Sequence, residues 1–332
     1  MLNGPIAVLG AGSWGSTLAW LLAGAGKQVC LWTRNPDKAK VIAEERQIKK
    51  SLLPPQVVVT SELSVALAEA QVILLCCNSQ AMRELCQNLS EHSPSTGRAK
   101  HPILVSTAKG LELATLKRMS EVVAEVLPDF PVCALSGPNL AGEILLGLTA
   151  AAVVASLDIE VASAVQKVLS VAKFRIYSNS DITGVELGRT LKNVIAIAAG
   201  GSDGLNLGVN AKAALLTRGL AEMTRISLHM GAKALTLAGL SGMGDLFASC
   251  SGPLSRNYRL GFEMARGKSV NQIQKEVGSV IEGVPTTAAV CELSKRVGVE
   301  LPIAELVESA LQGETAPGKA IIALMARPLA SE

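Results

Sequence analysis

Residues Gly10-Ala11-Gly12-Ser13-Trp14-Gly15 follow the apolar run Pro5–Leu9 and open a helical pattern, Ser13–Ala25. A G-x-G-x-x-G in that setting leaves little freedom of fold, because each glycine has a separate steric duty. Gly10 allows the tight turn, Gly12 lets a pyrophosphate approach the backbone, and Gly15 lets strand and helix pack closely. The helix N-terminus then faces the anion. The alternative, a glycine-rich turn without a ligand, is weighed against the rest of the chain. Met1–Gly26 carries no charged side chain, which imitates an export signal or a membrane span. Its seven Gly and Pro residues, with no basic residue before the apolar part, favour a buried strand and a turn instead.

The pattern continues as a doubly wound fold. Gln28–Trp32, Val57–Thr60, Val72–Cys76, Ile103–Ser106, Val132–Leu135 and Ala151–Ala155 are short, mostly apolar runs. Pro36–Glu45 and Ser64–Glu69 between them read as helices. Strands apolar on both faces and separated by helices predict a mainly parallel sheet. From about Asp181 the spacing becomes helical: Val185–Ala199, Ala211–Met230, Ser255–Arg266, Ser269–Val277, Thr286–Val297 and Ile303–Leu311. The boundary falls in the polar stretch Tyr177–Thr183, dividing the chain into 1–180 and an all-α part, 181–332. A length of 332 residues accommodates two such units. With aromatics at 3%, Ala, Val, Leu and Ile must build both cores.

Composition narrows the chemistry. The net charge of +3 is small and its Lys and Arg are scattered, which argues against a nucleic-acid partner. The histidines are His92, His101 and His229, too few for a His-rich metal site or relay, so no metal is expected. The seven cysteines include no C-x-x-C and sit mostly in apolar runs, as reduced core thiols of a cytoplasmic protein would.

Several residues then stand out. The second strand ends Trp32-Thr33-Arg34-Asn35, with Arg34 where an NAD-only site commonly has Asp or Glu. A cation there meets a 2′-phosphate, so NADP is expected beside NAD, unless Arg34 is only a solvated loop residue. Lys192 lies in a helix whose face also carries Gly188, Ala196 and Ala199, leaving room for a close approach. Most helix lysines reach for water. With histidine so scarce, however, a desolvated Lys is a plausible proton acceptor. Ser255 can cap a helix opened by Arg256 and Asn257, a grouping that suits a phosphate monoester or an ordinary capped helix. Lys109, and the segment Ser136–Glu143, follow strand ends where doubly wound folds bind ligands.

Taken in order, the blocks Gly10–Gly15, Ser106–Leu111 (STAKGL), Leu135–Glu143 (LSGPNLAGE), Glu186–Gly200 (ELGRTLKNVIAIAAG), Ser241–Leu246 (SGMGDL), Pro253–Gly261 (PLSRNYRLG) and Val280–Thr286 (VIEGVPT) resemble the bacterial NAD(P)-dependent glycerol-3-phosphate dehydrogenases. The resemblance covers nearly the whole chain. It implies a Rossmann domain followed by an all-helical domain, with the active site between them. It implies that Ser13, Trp14, Arg34, Lys50, Ala141, Arg256, Val280 and Glu282 contact the dinucleotide beside the glycines. Lys109, Gly137, Asn139, Asp245, Ser255, Arg256 and Asn257 would hold dihydroxyacetone phosphate or sn-glycerol 3-phosphate, with Lys109 also touching the cofactor. Lys192 would exchange the proton, oriented by Asp245. The product would feed glycerophospholipid synthesis, and a homodimer is compatible with this reading.

The chain departs from the family pattern at Cys76-Cys77-Asn78-Ser79, where an apolar residue, Pro and Ser are usual. It departs again at Arg189-Thr190, where Gly-Ala is common, and at Asn35, beside the ribose position. Two rivals remain at this point. One is a two-domain dehydrogenase of hydroxy acids or sugar acids, which would need a carboxylate pocket. The other is a non-catalytic NAD(P)-binding sensor, which would not need Lys192 beside a phosphate grip.

Overall fold

The computed structural model describes residues 2, 4–48, 51–92, 101–278 and 280–319. Its first part contains β1 (Ile6–Leu9), α1 (Ser13–Gly24), β2 (Val29–Trp32), α2 (Pro36–Glu45) and the two-residue strands β3 (Gln47–Ile48) and β4 (Ser51–Leu52). It continues with β5 (Val57–Thr60), α3 (Leu63–Leu67), β6 (Val72–Leu75), α4 (Met82–His92) and β7 (Ile103–Ser106). Then come α5 (Met119–Val126), β8 (Val132–Ser136), α6 (Ala141–Leu145), β9 (Ala150–Ala155), α7 (Ile159–Leu169) and β10 (Phe174–Asn179). Among the described residues the main sheet runs β10-β9-β8-β7-β6-β1-β2-β5, parallel throughout except where β8 meets β9. β1 and β6 are buried at every position, as strands covered on both faces must be.

Sequence patterning missed one strand of the main sheet, besides the short pair β3 and β4. β10 reads Phe-Arg-Ile-Tyr-Ser-Asn and alternates buried with exposed, the signature of an edge position. The polar stretch assigned to the domain boundary therefore begins inside a strand, and the helical part starts directly after it.

That part comprises α8 (Ile182–Gly204), α9 (Gly208–His229), α10 (Ala234–Leu237), a π-helical turn (Leu240–Gly244), α11 (Asp245–Cys250), α12 (Arg256–Ala265), α13 (Val270–Val277), α14 (Gly283–Val297) and α15 (Pro302–Gln312). Asp181 caps α8: one carboxylate oxygen accepts from Gly184 N at 2.8 Å and the other from Lys233 N at 2.8 Å. α8 is buried on nearly every face, so it is the axle on which α9, α11, α12, α14 and α15 pack. Leu111 and Leu116, from the loop after β7, belong to the core of this helical part and not to the sheet's. The two parts are thus joined by a shared core as well as by the chain.

Candidate functional site

The chain passes from β1 outward to β2 and β5, then returns to β6 on the other side of β1. The reversal leaves a crevice at the carboxyl ends of β1 and β6, the place where such sheets bind nucleotides. Gly10 has a φ of +124° there, and a Cβ on it would stand 2.6 Å from the Cys76 carbonyl oxygen. A Cβ on Gly15 would meet the Gly10 oxygen at 2.0 Å, so strand and helix close up as the motif requires. A Cβ on Gly12 would meet nothing within 4 Å, which leaves that face open. Gly12 is also the N-cap of α1 and supplies no side-chain bond, so the first-turn N–H groups, including that of the exposed Ser13, face the opening. This cradle fits a pyrophosphate.

The other residues expected around a dinucleotide are distributed as follows. Trp14 is half-buried, edge-on to Phe174 with ring centres 6.3 Å apart. Arg34 is exposed, its guanidinium 4.0 Å from Glu84. Ala141 opens α6. The exposed Val280 offers its carbonyl to Arg256 Nη1 at 2.6 Å. Burial pushes the Glu282 carboxyl up, against the opposing pull of Arg256, Lys109, Lys192 and Arg189. Lys50 lies outside the described residues. At Cys76-Cys77-Asn78 the missing proline is replaced by a cap, since Asn78 Oδ1 accepts from Ala81 N at 3.0 Å and holds a short turn. Burial pushes the Cys76 thiol up to about 12, so it stays a thiol.

The polar centre lies where α8, α11 and the loop after β7 meet. Asp245 is 2% exposed and is gripped from two sides. Lys109 Nζ approaches one carboxylate oxygen at 2.9 Å and Lys192 Nζ the other at 3.2 Å. Burial alone would raise the Asp245 carboxyl, but the two ammonium groups outweigh it and hold it below the usual carboxylate range. Lys192, 5% exposed, is lowered to about 8. Desolvation is the main cause, Asp245 opposes it and Lys109 adds to it. The close approach expected at Gly188 is made by the protein's own backbone. A Cβ on Gly188 would stand 2.6 Å from the Ser241 carbonyl oxygen, so the space is filled by the π-helical turn. That close approach is what carries Asp245 to Lys192.

Ser249 was not anticipated. Lys192 Nζ donates to its Oγ at 2.5 Å. Its position four residues after Asp245, on the same helix face, was the available signal.

Around this centre, Gly137 follows β8 directly in a buried position, and Asn139 Oδ1 is buried without a hydrogen-bond partner. Ser255 Oγ accepts from Tyr258 N at 3.3 Å and caps α12, as foreseen. Asn257 is turned inward. Its Nδ2 donates to Asn193 Oδ1 at 2.9 Å, and its Oδ1 accepts from Gly283 N at 2.9 Å. Its side chain therefore ties α12 to α8 and α14, while Arg256, the first residue of α12, is exposed. Among the described residues no group of three or more His, Cys, Asp or Glu is placed to hold a metal, and no helix is long and apolar enough to cross a membrane.

Comparison with known proteins agrees with this geometry. Residues 5–162 match the NAD-dependent glycerol-3-phosphate dehydrogenase N-terminus, and residues 181–322 match the C-terminus of the same family. The chain is 44% identical to a glycerol-3-phosphate dehydrogenase [NAD(P)+] of Moorella thermoacetica, over 98% of this chain and 97% of that one. It is 42% identical to its counterpart in Thermoanaerobacter sp., over 97% of each. A crystal structure of glycerol-3-phosphate dehydrogenase from Coxiella burnetii, 35% identical, superposes with a TM-score of 0.92 over 98% of this chain and 99% of that one. With both halves matched in order and the relatives covered nearly end to end, the chain belongs to the NAD-dependent glycerol-3-phosphate dehydrogenase family.

Proposed function

We propose that Lys192 exchanges the proton in an NAD(P)-dependent interconversion of dihydroxyacetone phosphate and sn-glycerol 3-phosphate. When bound, the nicotinamide supplies or accepts the hydride at substrate C2. The protein's part is to hold the substrate and to move a proton at the C2 oxygen. As an ammonium, Lys192 donates to that oxygen and stabilises its developing charge; as an amine, it accepts the hydroxyl proton in the reverse direction. Asp245 and Ser249 orient the Nζ. Lys109, Arg256 and the N-terminus of α12 supply positive charge for the phosphate, with Ser255, Asn257, Gly137 and Asn139 shaping the pocket. Arg34 would meet the 2′-phosphate of NADP. Residues 1–180 form the cofactor domain and 181–332 the substrate domain. The seven free cysteines support a cytoplasmic location, where glycerol 3-phosphate would serve glycerophospholipid synthesis.

The observation that carries this reading is the burial of Lys192 against Asp245 and Ser249, with Lys109 on the same carboxylate. A sensor that only binds dinucleotide has no use for that cluster. The test is Lys192→Met, assayed with NADPH or NADH and dihydroxyacetone phosphate, beside unphosphorylated dihydroxyacetone as control. Turnover should fall by about 10²–10⁴-fold, while dinucleotide binding, measured directly, stays intact. Wild-type turnover with unchanged pH dependence would remove Lys192 from the reaction.

A further inference from the structure

One turn before Lys192, α8 carries Arg189, the largest fully buried side chain among the described residues, at 1% exposure. Its guanidinium forks between the two parts of the molecule. Nη1 donates to the Ser106 carbonyl at 2.9 Å and to the Leu135 carbonyl at 3.0 Å. Nη2 donates to Ser106 Oγ at 3.2 Å and to Glu186 Oε1 at 3.0 Å. Ser106 ends β7 and Leu135 is the last residue but one of β8, so each stands at the root of a loop. The first loop leads to Lys109, the second to Gly137 and Asn139.

Neutralising Glu186 does not require Arg189. Arg118 Nη1 already donates to Glu186 Oε2 at 2.9 Å, and Ser120 N to Oε1 at 3.0 Å. What the second cation adds is reach: one planar fork meets two strand-end carbonyls and a carboxylate at once, a geometry that a lysine's single nitrogen does not reproduce.

We propose that Arg189 is a positioning residue for proton exchange: by holding the ends of β7 and β8 against α8, it keeps Lys109 on Asp245 beside Lys192. The inference rests on the role given to Lys192 above. The charged and titratable groups around Lys192 are Asp245 and Cys250 from α11, Lys109 from the loop after β7, Glu282 ahead of α14, and Arg189 on its own helix. If the loop root slips, Lys109 leaves Asp245. Lys192 then loses a like-charged neighbour and keeps Asp245 to itself, so its amine becomes harder to deprotonate.

Arg189→Lys tests this while conserving formal charge, so a change in Lys192 titration reports distance and not charge. The Lys192 Cε resonance, followed by NMR against pH, should titrate roughly half a pH unit or more above wild type. The kcat for dihydroxyacetone phosphate reduction should fall about 10–100-fold, with the KM for dinucleotide unchanged. Ser106→Ala, which removes a single acceptor, should move the titration the same way by less. It carries the test should Arg189→Lys not fold. Unchanged or lowered Lys192 titration in the folded variant overturns the proposal, whatever happens to the rate, because a merely structural prop would alter rate and stability alone. Failure of the Lys192 reading would look different. Lys192→Met would be fully active, while the NMR titration in the Arg189 variant would still report on the geometry.

Discussion

Asp245→Asn tests the electrostatics of the polar centre, since it keeps the side chain's shape while removing its charge and turning one of its two acceptors into a donor. In the wild type the carboxylate opposes the desolvation that has brought Lys192 down to about 8. An opposite charge at such range typically contributes about 1–3 pH units. Without it the Lys192 pKa should fall to roughly 6, and Lys109, now unpaired, pushes in the same direction. At pH 7.5 a group titrating at about 8 is about three-quarters protonated, whereas one titrating at about 6 is about 3% protonated. Reduction needs the ammonium, so its rate at pH 7.5 should fall about 25-fold from protonation alone. Oxidation needs the free amine, so its rise with pH should shift to lower pH by the same interval. The assay is a pair of pH–rate profiles, one in each direction, with the Lys192 Cε titration as a check independent of turnover. A profile whose midpoint stays at the wild-type value, or moves upward, would refute the account. In that case Asp245 would act by geometry alone.

Two further outcomes follow from other parts of the chain. Arg34→Asp should weaken NADPH selectively, because it places a carboxylate near the 2′-phosphate. Equal losses in Kd for NADPH and NADH would leave Arg34 as a solvated surface residue. Glu222, buried between α9 and α15, accepts from Ile303 N at 2.9 Å, yet burial pushes its carboxyl up to about 7. The folded protein keeps that proton at pH values where the unfolded chain, at about 4.5, has lost it. Stability from this group is therefore present below about 4.5 and lost as the pH rises through about 7. Melting curves should show Tm falling across that window in the wild type and the fall diminished in Glu222→Gln. An identical pH slope in both would show that Glu222 is not the group responsible.

The sequence displayed the parts of this fold that depend on local periodicity. The glycine motif with its flanking strand and helix was visible because each residue has a steric duty within a few positions of its neighbours. The helical half was visible because apolar residues recur at helical spacing. β10 was hidden because an edge strand alternates polar with apolar and adjoins the polar cap residue Asp181. The glycine-rich Leu240–Gly244 looks like a loop in sequence, and only its seating on Gly188 makes it a π-helical turn. Lys192 and Asp245 could be named, but Ser249 emerges only once α11 is laid against α8. Arg189 is the hardest case. Arginine is seldom fully buried, and nothing near it in sequence announces acceptors at Ser106 and Leu135.

The loop after β7 places Leu111 and Leu116 in the helical core, with Leu116 holding a φ of +61°, while Arg118 and Ser120 just beyond it bind Glu186. For anyone building chimaeras from relatives of this protein, the seam is therefore not where the chain crosses from sheet to helices. Exchanging the first 180 residues as a block would graft a foreign plug into a native socket, with mismatched side chains at both leucines. A chimaera that carries residues 110–120 together with the helical half keeps plug and socket matched, although this moves two breakpoints into the middle of the other module. Cofactor preference would then be inherited from one parent and the interior of the helical half from the other, without a void at their junction.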